Sequence, residues 1–519
     1  MSDESMEALA ELGRRRALTE DSARPEAVAR RHAAGGRTAR ENLADLIDPG
    51  SFVEYGRLAT AAQEKRLSAG ELMRQTPADG LIGGIARVNG GLFGDRATCG
   101  VLTYDYLVLA GTQGLRGHHK SDRLLGLIGK LRLPTVFFAE GGGGRPNDTD
   151  YPVVSALDVE SFALWARLSG LAPRIAVVAG RCFAGNAIIA GSADLIVATR
   201  DATMGVAGPA MIAAGGLGEH AADEIGPAPV LARQGVVDVL AASEAEAVAV
   251  TRTLIGYFQG PVPAGSAGDQ AALRTMIPGE RRAFDVRPVL TTLADTDSVT
   301  FLREPFAPEL VTALGRIAGQ PVGFLANQTL HRAGALTAAA SDKAARFLQL
   351  CDAYGLPVVS LVDTPGYMAG PDAEREGIVR RGSRMLVAAA RLQVPLIGVV
   401  LRRGYGLGAQ AMLGGSTRQP LLTVAWPAAH MGPMGLEGAV RLSLRKELAA
   451  MDSEAERRAR VRELTDAYRE HVTVFNVARA FEIDDVIDPA ETRDLIAATL
   501  AAAAGREGFT GSGRVVDTW

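Results

Sequence analysis

A pair of α/β domains, the second duplicating the first, is the fold this sequence predicts, and three repeated passages predict it. Leu133-Pro134 leads through an apolar run to Glu140 and the run Gly141 to Gly144, while Leu356-Pro357 leads through a similar run to Asp363, Thr364, Pro365 and Gly366. Pro173 opens RIAVVAGRCFAGN up to Asn186, as Pro395 opens LIGVVLRRGYGLG up to Gly408. Ala198 precedes Met204-Gly205 as Ala425 precedes Met431-Gly432. All three matches share an offset of about 222 to 227 residues, which marks a duplicated unit instead of one large fold. Length agrees, because 519 residues exceed what one hydrophobic core serves.

Along the chain, residues 1 to 45 read as helical and charged, an amphipathic lead-in packing on the first domain. Strand-like apolar runs alternate with helical patterns from Leu81 to Phe258, as α/β layers require. The Pro- and Gly-rich segment Gln259 to Gln270 has no apolar periodicity and reads as the linker, giving domains over 1–259 and 270–519. A second α/β block runs from Val286 to about Gly438. The tail from Leu442 to Gly505 is helical: EAERRARVRELTDAYREH is a solvated face and LIAATLAAAAG a last packed helix.

Composition narrows the function classes. Apolar residues make up 47% of the chain and aromatic ones only 5%, with a mean hydropathy of +0.09. The net charge of −4 gives no reason to expect nucleic acid. Basic residues are almost all Arg, the five Lys being Lys65, Lys120, Lys130, Lys343 and Lys446, a bias we read as one of coding. Cys99, Cys182 and Cys351 are far apart with no CxxC pair, so neither a disulfide framework nor a zinc site is expected. No signal segment and no apolar run of membrane-spanning length is present, so the expectation is a soluble cytoplasmic protein without membrane contact.

The glycine-rich loops GGGGR and RCFAGN fit neither GxGxxG nor GxxxxGK[ST], which disfavours nucleotide binding. Where a strand ends in a tight turn that opens a helix, unpaired N–H groups point outward, and two such donors can hold a developing oxyanion. For an isolated run the plainer reading is that glycine permits a tight turn. Finding the pattern at equivalent places in both copies favours the oxyanion reading.

At the level of longer motifs the chain resembles the carboxyltransferase (β) subunit of biotin-dependent acyl-CoA carboxylases, the propionyl-CoA carboxylase β-chain family. The resemblance runs through GGRTARENLADLIDPGSFVEYG, LTYDYLVLAGTQG, ASDKAARFLQLCDAYGLPVVSLVDTPGYMAG, IVRRGSRML, AWPAAHMGPMGLEGAV and DDVIDPAETRDLI. It implies two crotonase-like domains, each a ββα superhelix, in a homohexamer built as a dimer of trimers. Active sites would lie between the first domain of one subunit and the second of another, with acyl-CoA on the first and biotin on the second. The family's oxyanion holes fall at Ala184-Gly185 and at Leu407-Gly408. In the family's mechanism carboxybiotin releases CO2, the biotin anion takes the α-proton of the thioester, and the enolate attacks CO2. No protein His or Glu is then required as base.

Several positions depart from the family pattern. The usual SGGAR is GGGGR here, placing Gly142, Gly143, Gly144 and Arg145 at the substrate side. GPCAGGA becomes GRCFAGN, setting Phe183 and Asn186 beside the first hole, and YGGAYD becomes Tyr405-Gly406-Leu407-Gly408-Ala409-Gln410. An Asp at that last place in relatives helps select acyl-chain length, so Gln410 points to a substrate other than acetyl- or propionyl-CoA. Lys120, in a His118-His119-Lys120 cluster, and Arg37 and Arg40 are candidates for the CoA phosphates, with a surface turn and helix surface as the plain alternatives. Asp148 and Asp150 have no His or Glu at ligand spacing, so no metal is expected, and Cys182 reads as a small buried residue.

None of the five Lys lies between methionines, and no nucleotide motif for making carboxybiotin is present. If the carboxylase reading holds, biotin arrives on a separate biotin carboxyl carrier and is carboxylated by a biotin carboxylase on another chain or domain. Three alternatives stay open: an acyl-CoA decarboxylase or transcarboxylase of the malonyl or methylmalonyl type, a crotonase-type hydratase or isomerase, which needs carboxylates beside the hole, and a non-catalytic scaffold subunit.

Overall fold

The structure, a computed structural model, describes residues 2–145, 148–150, 157–279, 282–469, 472–506 and 511–519. It divides into two compact units, Met1–Gly260 and Pro261–Asp517. The strands of the first are β1 (Val53–Glu54), β2 (Leu81–Arg87), β3 (Thr98–Tyr104), β4 (Thr135–Phe138), β5 (Arg174–Val178), β6 (Arg181–Phe183), β7 (Leu195–Thr199), β8 (Thr203–Gly205) and β9 (Val239–Ala241). Those of the second are β10 (Thr300–Leu302), β11 (Leu310–Ile317), β12 (Gln320–Asn327), β13 (Val358–Thr364), β14 (Leu396–Tyr405), β15 (Leu422–Ala425), β16 (His430–Gly432) and β17 (Asp485–Val486).

Both sheets follow one plan. The first has order β1-β2-β3-β4-β5-β7-β9 and the second β10-β11-β12-β13-β14-β15-β17. The first three strands of each pair antiparallel and the rest parallel. Register repeats as well: Gly100 lies opposite Thr135 as Gly323 lies opposite Val358. The parallel strands are rich in Val, Ile, Leu and Ala because both their faces are covered, with polar residues such as Asp363 and Arg402 toward their C-terminal ends. In the first unit helix Leu115–Leu131 crosses from β3 to β4, burying Leu124, Leu125 and Ile128 against a core centred on Phe137 and Trp165. Helix Ala338–Tyr354 makes the same crossing in the second.

Two segments depart from expectation. Residues 261–269 are not a free linker but the first part of the second unit: Val262 N–H donates to Gly319 O at 3.1 Å and Thr296 N–H to Ser266 O at 2.8 Å. A Pro- and Gly-rich stretch can satisfy its backbone along a sheet edge without any apolar periodicity. The N-terminal lead-in packs apolar residues only through its third helix, Ala39–Leu46, which buries Leu43 and Leu46, since helices Asp3–Ala17 and Pro25–Ala33 bury no residue. It is tied down by side-chain bonds: Arg24 to Asp105 at 2.7 Å, Arg31 to Glu140 at 2.8 Å, and Asn42 to Glu244 at 2.5 Å. The charged helix Glu454–Arg469 does present a solvated face, and Thr492–Ala503 does bury Ile496 and Leu500 in the second core.

Candidate functional site

In the first unit β4 delivers the chain to Glu140, whose buried carboxylate accepts from Arg31 through both oxygens at 2.8 Å. Burial pushes its pKa up to about 7 although Arg31 opposes the shift. The glycine turn that follows is closed by four backbone bonds. Gly141 N–H donates to Arg181 O and Phe183 N–H to Gly141 O; Gln113 N–H donates to Gly143 O and Arg145 N–H to Gln113 O. Gly143 N–H is taken by Asn186 Oδ1 at 3.0 Å. A Cβ on Gly143, whose φ is +85°, would lie 2.6 Å from that of Ala184, so only glycine fits.

This closure leaves the amides of the exposed Gly142 and Gly144 without an acceptor among the described residues. Next to Gly143, 3.5 Å from where its Cβ would lie, is the amide nitrogen of Gly185, which opens helix Gly185–Gly191 and is likewise uncommitted. The expected donor pair needs one correction. Ala184 N–H donates to Gly205 O at 3.0 Å, continuing the parallel pairing of β6 with β8. The outward donors of the first turn are Gly142, Gly144 and Gly185.

The second unit repeats the arrangement with different parts. Near the end of β13 stands Asp363, a buried carboxylate held by Arg402 at 2.9 Å and Arg403 at 2.7 Å. Thr364-Pro365-Gly366 turns the chain toward helix Gly406–Met412, close enough that a Cβ on Gly408 would meet the Gly366 carbonyl carbon at 2.7 Å. Gly406 has φ 59°, as Ala184 has in the first copy. The amides of Leu407 and Gly408 find no acceptor among the described residues, and Leu407 is 69% exposed. A cavity of about 460 Å³ opens beside this turn, lined by Pro365, Arg402, Arg403, Tyr405 and Leu436 among others.

The other candidates fall into two groups. Gln410 is exposed on the helix that carries Leu407 and Gly408, and Phe183 and Tyr405 are buried walls of their turns. Lys120, Arg145, Asn186 and Arg40 are corrected by their surroundings. Lys120 is not on the surface but 8% exposed, its amine donating to Ala78 O at 2.8 Å and to Leu81 O. Burial pulls its pKa down to about 8. Arg145 is enclosed, paired with Asp79 at 2.5 Å and donating to Thr112 O at 3.0 Å. Asn186 points inward, fully buried. Arg40 is committed to Glu54 and Thr19 O. Arg37 pairs with Asp45 at 2.5 Å and keeps one nitrogen, Nη1, buried without a partner.

Asp148 and Asp150 cap backbone amides, Asp148 that of Leu115 and Asp150 those of Glu64 and Lys65. Among the described residues no three metal-ligating side chains gather, and no helix is long and apolar enough to cross a membrane. Cys182 is buried and its thiol pKa is raised by burial, which makes it a poor nucleophile. Sequence reading missed Arg31, Glu244, Asn327 and the Arg402-Arg403 pair. The available signal was the acidic residue ending each strand, since a buried carboxylate requires a cationic or N–H partner.

Comparison with known proteins gives one consistent picture. The family model described as carboxyl transferase domain matches residues 30–511. The methylmalonyl-CoA carboxyltransferase 12S subunit of Propionibacterium freudenreichii subsp. shermanii is 32% identical, over 94% of this chain and 93% of its own. The propionyl-CoA carboxylase β chain of Saccharopolyspora erythraea is 31% identical, over 96% and 93%. Among solved structures, a single-chain, multi-domain long-chain acyl-CoA carboxylase is 50% identical with a TM-score of 0.91, over 95% of this chain. This chain spans 48% of that one. The transcarboxylase 12S hexamer with methylmalonyl-CoA bound is 31% identical with a TM-score of 0.82, over 96% and 95%.

Proposed function

Because the chain belongs to the carboxyl transferase domain family, we propose that it moves a carboxyl group from carrier-bound carboxybiotin to the α-carbon of an acyl-CoA. Its fold is the duplicated crotonase-like α/β architecture. The observation that carries the proposal is the presence, in both copies, of uncommitted amides where a strand-end turn meets a helix start. The amides of Gly185, Gly142 and Gly144 would polarise the thioester carbonyl as its enolate forms. The ureido oxygen of biotin is an acceptor of the kind that the amides of Leu407 and Gly408 fit. Carboxybiotin, when bound, supplies both the carboxyl group and the base.

The chain's own task is then positioning and charge stabilisation, and each donor of this kind is worth roughly 3 to 4 kcal/mol of barrier. Biotin carboxylase and the biotin carboxyl carrier would be separate chains or domains, in keeping with the multi-domain relative of which this chain spans 48%. A homohexamer is the proposed assembly, by likeness to the transcarboxylase 12S hexamer. The 50% identity to a long-chain acyl-CoA carboxylase and the neutral, exposed Gln410 together favour acyl chains longer than propionyl.

The test combines purified chain, biotinylated carrier, biotin carboxylase, ATP and bicarbonate with acyl-CoAs from acetyl to octanoyl. Carboxylation that requires carrier and favours the longer substrates is expected. Turnover without carrier, or hydration of enoyl-CoA instead, overturns the reading. The 12S relative favours transcarboxylation as a second direction, which methylmalonyl-CoA as carboxyl donor would reveal.

A further inference from the structure

We propose that Asn186 is a positioning residue for the first oxyanion hole, holding the glycine turn and the helix start at the separation at which their free amides converge. This rests on the reading of that hole as the acyl-CoA site. Asn186 is 0% exposed, so it offers nothing to substrate directly. Its Oδ1 accepts Gly143 N–H at 3.0 Å, and its Nδ2 donates to Glu140 O at 3.2 Å and to Gly111 O at 3.4 Å. One side chain therefore joins three stretches of backbone: the turn ending at Gly111, the turn from Glu140 to Gly143, and the helix that begins at Gly185. Gly143 lies between Gly142 and Gly144, whose amides are open, and Asn186 directly follows Gly185, whose open amide nitrogen lies 3.5 Å from where a Cβ on Gly143 would sit.

The second copy shows that the brace answers a need of the turn. At the place equivalent to Asn186 stands Gly408, which has no side chain to give. There Asn327, on β12 and not on the helix, joins the two corresponding turns: its Oδ1 accepts Asp363 N–H at 3.1 Å and its Nδ2 donates to Gly334 O at 3.2 Å. Gly334 is the counterpart of Gly111, and Asp363 of Glu140. An amide side chain suits both sites because one planar group offers an acceptor and two donors. In the first copy this places the brace on the helix that forms the hole, so loosening it moves Gly185 relative to Gly142 and Gly144.

Such a shift weakens stabilisation of the enolate oxygen more than binding of the ground-state thioester, so it lowers kcat with little change in KM. Asn186→Asp is nearly isosteric. It keeps the acceptor for Gly143 N–H but sets a carboxylate oxygen against two carbonyls, and only its protonated form regains a donor. Using the acyl-CoA that turns over fastest in the acetyl to octanoyl series, Asn186→Asp should lose about 10- to 100-fold in kcat at pH 8. Its KM should stay within about twofold. The variant-to-parent kcat ratio should recover as pH falls toward 6. Glu140, Arg31, Glu244, Arg145, Asp79, Cys182 and Tyr104 surround this turn, and Glu140 itself has its pKa raised to about 7, so Asn186→Ala, which adds no carboxyl, is the reference against which the recovery is read. Asn186→Ala should lose kcat without that recovery. Hydrogen exchange at the Gly143 amide should quicken in Asn186→Ala, which removes its acceptor.

Unchanged kcat in a variant whose melting shows it folded, or a raised KM with kcat intact, overturns the proposal. So does unchanged Gly143 exchange in Asn186→Ala, which is measured without substrate. Should Asn186→Asp not fold, Asn186→Ala is judged by the same kcat and exchange criteria. If the parent carboxylates no acyl-CoA, the functional reading fails, while the exchange result still decides the brace.

Discussion

The two copies share a backbone to within a register position, yet the side chains that secure their turns come from different elements. In the first copy the acidic strand end is held by Arg31, from the N-terminal helices 109 residues away. In the second, Asp363 is held by Arg402 and Arg403 on the neighbouring β14. Ala184 strains into φ 52° where the second copy uses glycine at φ 59°. The buried lysines do correspond: Lys343, like Lys120, sends its amine to carbonyls before its sheet's long strands, reaching Leu310 O at 2.6 Å, Phe306 O at 2.8 Å and Ala307 O at 3.5 Å. Duplication has retained the path of the chain and the outward amides, while the bonds that stabilise the path have been replaced one by one.

The largest effect should come from the lysine pair. Lys343→Met abandons three carbonyls in a fully buried site and should cost roughly 2 to 4 kcal/mol, whereas Lys120→Met abandons two and should cost less. Denaturant melts of both variants measure this, and equal losses would mean that the carbonyl count does not set the cost. Burial pulls the Lys343 pKa down to about 7. The unfolded chain keeps that proton up to about 10.4, so unfolding takes up a proton between these values and parent stability should rise with pH across that window. The gain is lost as pH falls back toward 7, and Lys343→Met should remove its share of this slope, leaving that of Lys120 between about 8 and 10.4.

Next come the turns. Gly143→Ala meets both a φ of +85° and the Ala184 methyl, while Gly366→Ala meets only a φ of 123°, its new Cβ lying 3.6 Å from Tyr405 O. We expect a loss of about 2 to 3 kcal/mol for the first and about 1 kcal/mol for the second. Calorimetry that ranks them the other way would show that the first turn relaxes more readily than its packing implies.

A smaller effect is expected at Gln410, where an Asp would carry a charge that loses water as an apolar chain approaches. Gln410→Asp should shift kcat/KM toward shorter acyl-CoAs by about 1 to 3 kcal/mol per methylene at most, a graded change. An identical ranking from acetyl- to octanoyl-CoA in parent and variant would remove this residue from the specificity argument. Smallest is Ala184→Gly, which makes the first copy resemble the second and relieves a left-handed alanine. A stabilisation of about 0.5 to 1 kcal/mol is expected, read from the melting temperature.

The sequence made the duplication, the strand ends and both helix starts legible, because each depends on local patterns of apolar residues, proline and glycine. It did not reveal which amides are already committed, since the bond from Ala184 to Gly205 depends on a neighbouring strand's path. Nor did it expose pairs such as Asn42 with Glu244, 202 residues apart, which leave no local signature. Lys120 was open to better reading. It shares the buried face of its helix with Gly117, Ser121, Leu124 and Ile128 at helical spacing, which argues for an enclosed amine.

The long reach of the N-terminal segment bears on the order in which the protein is made. Arg37 N–H and Asn42 both bond to Glu244, so the N-terminal segment cannot complete its bonds until roughly the whole first unit has left the ribosome. By then the strands β2 to β9 are all present, while β11 and β12, which could pair with them in the same register, have yet to be synthesised. Closing the first unit with its own earliest residues gives it a chance to lock before its near-copy emerges. In a chain that carries one topology twice, this sequence of events guards against strands exchanging between copies, the characteristic misfolding hazard of repeated domains.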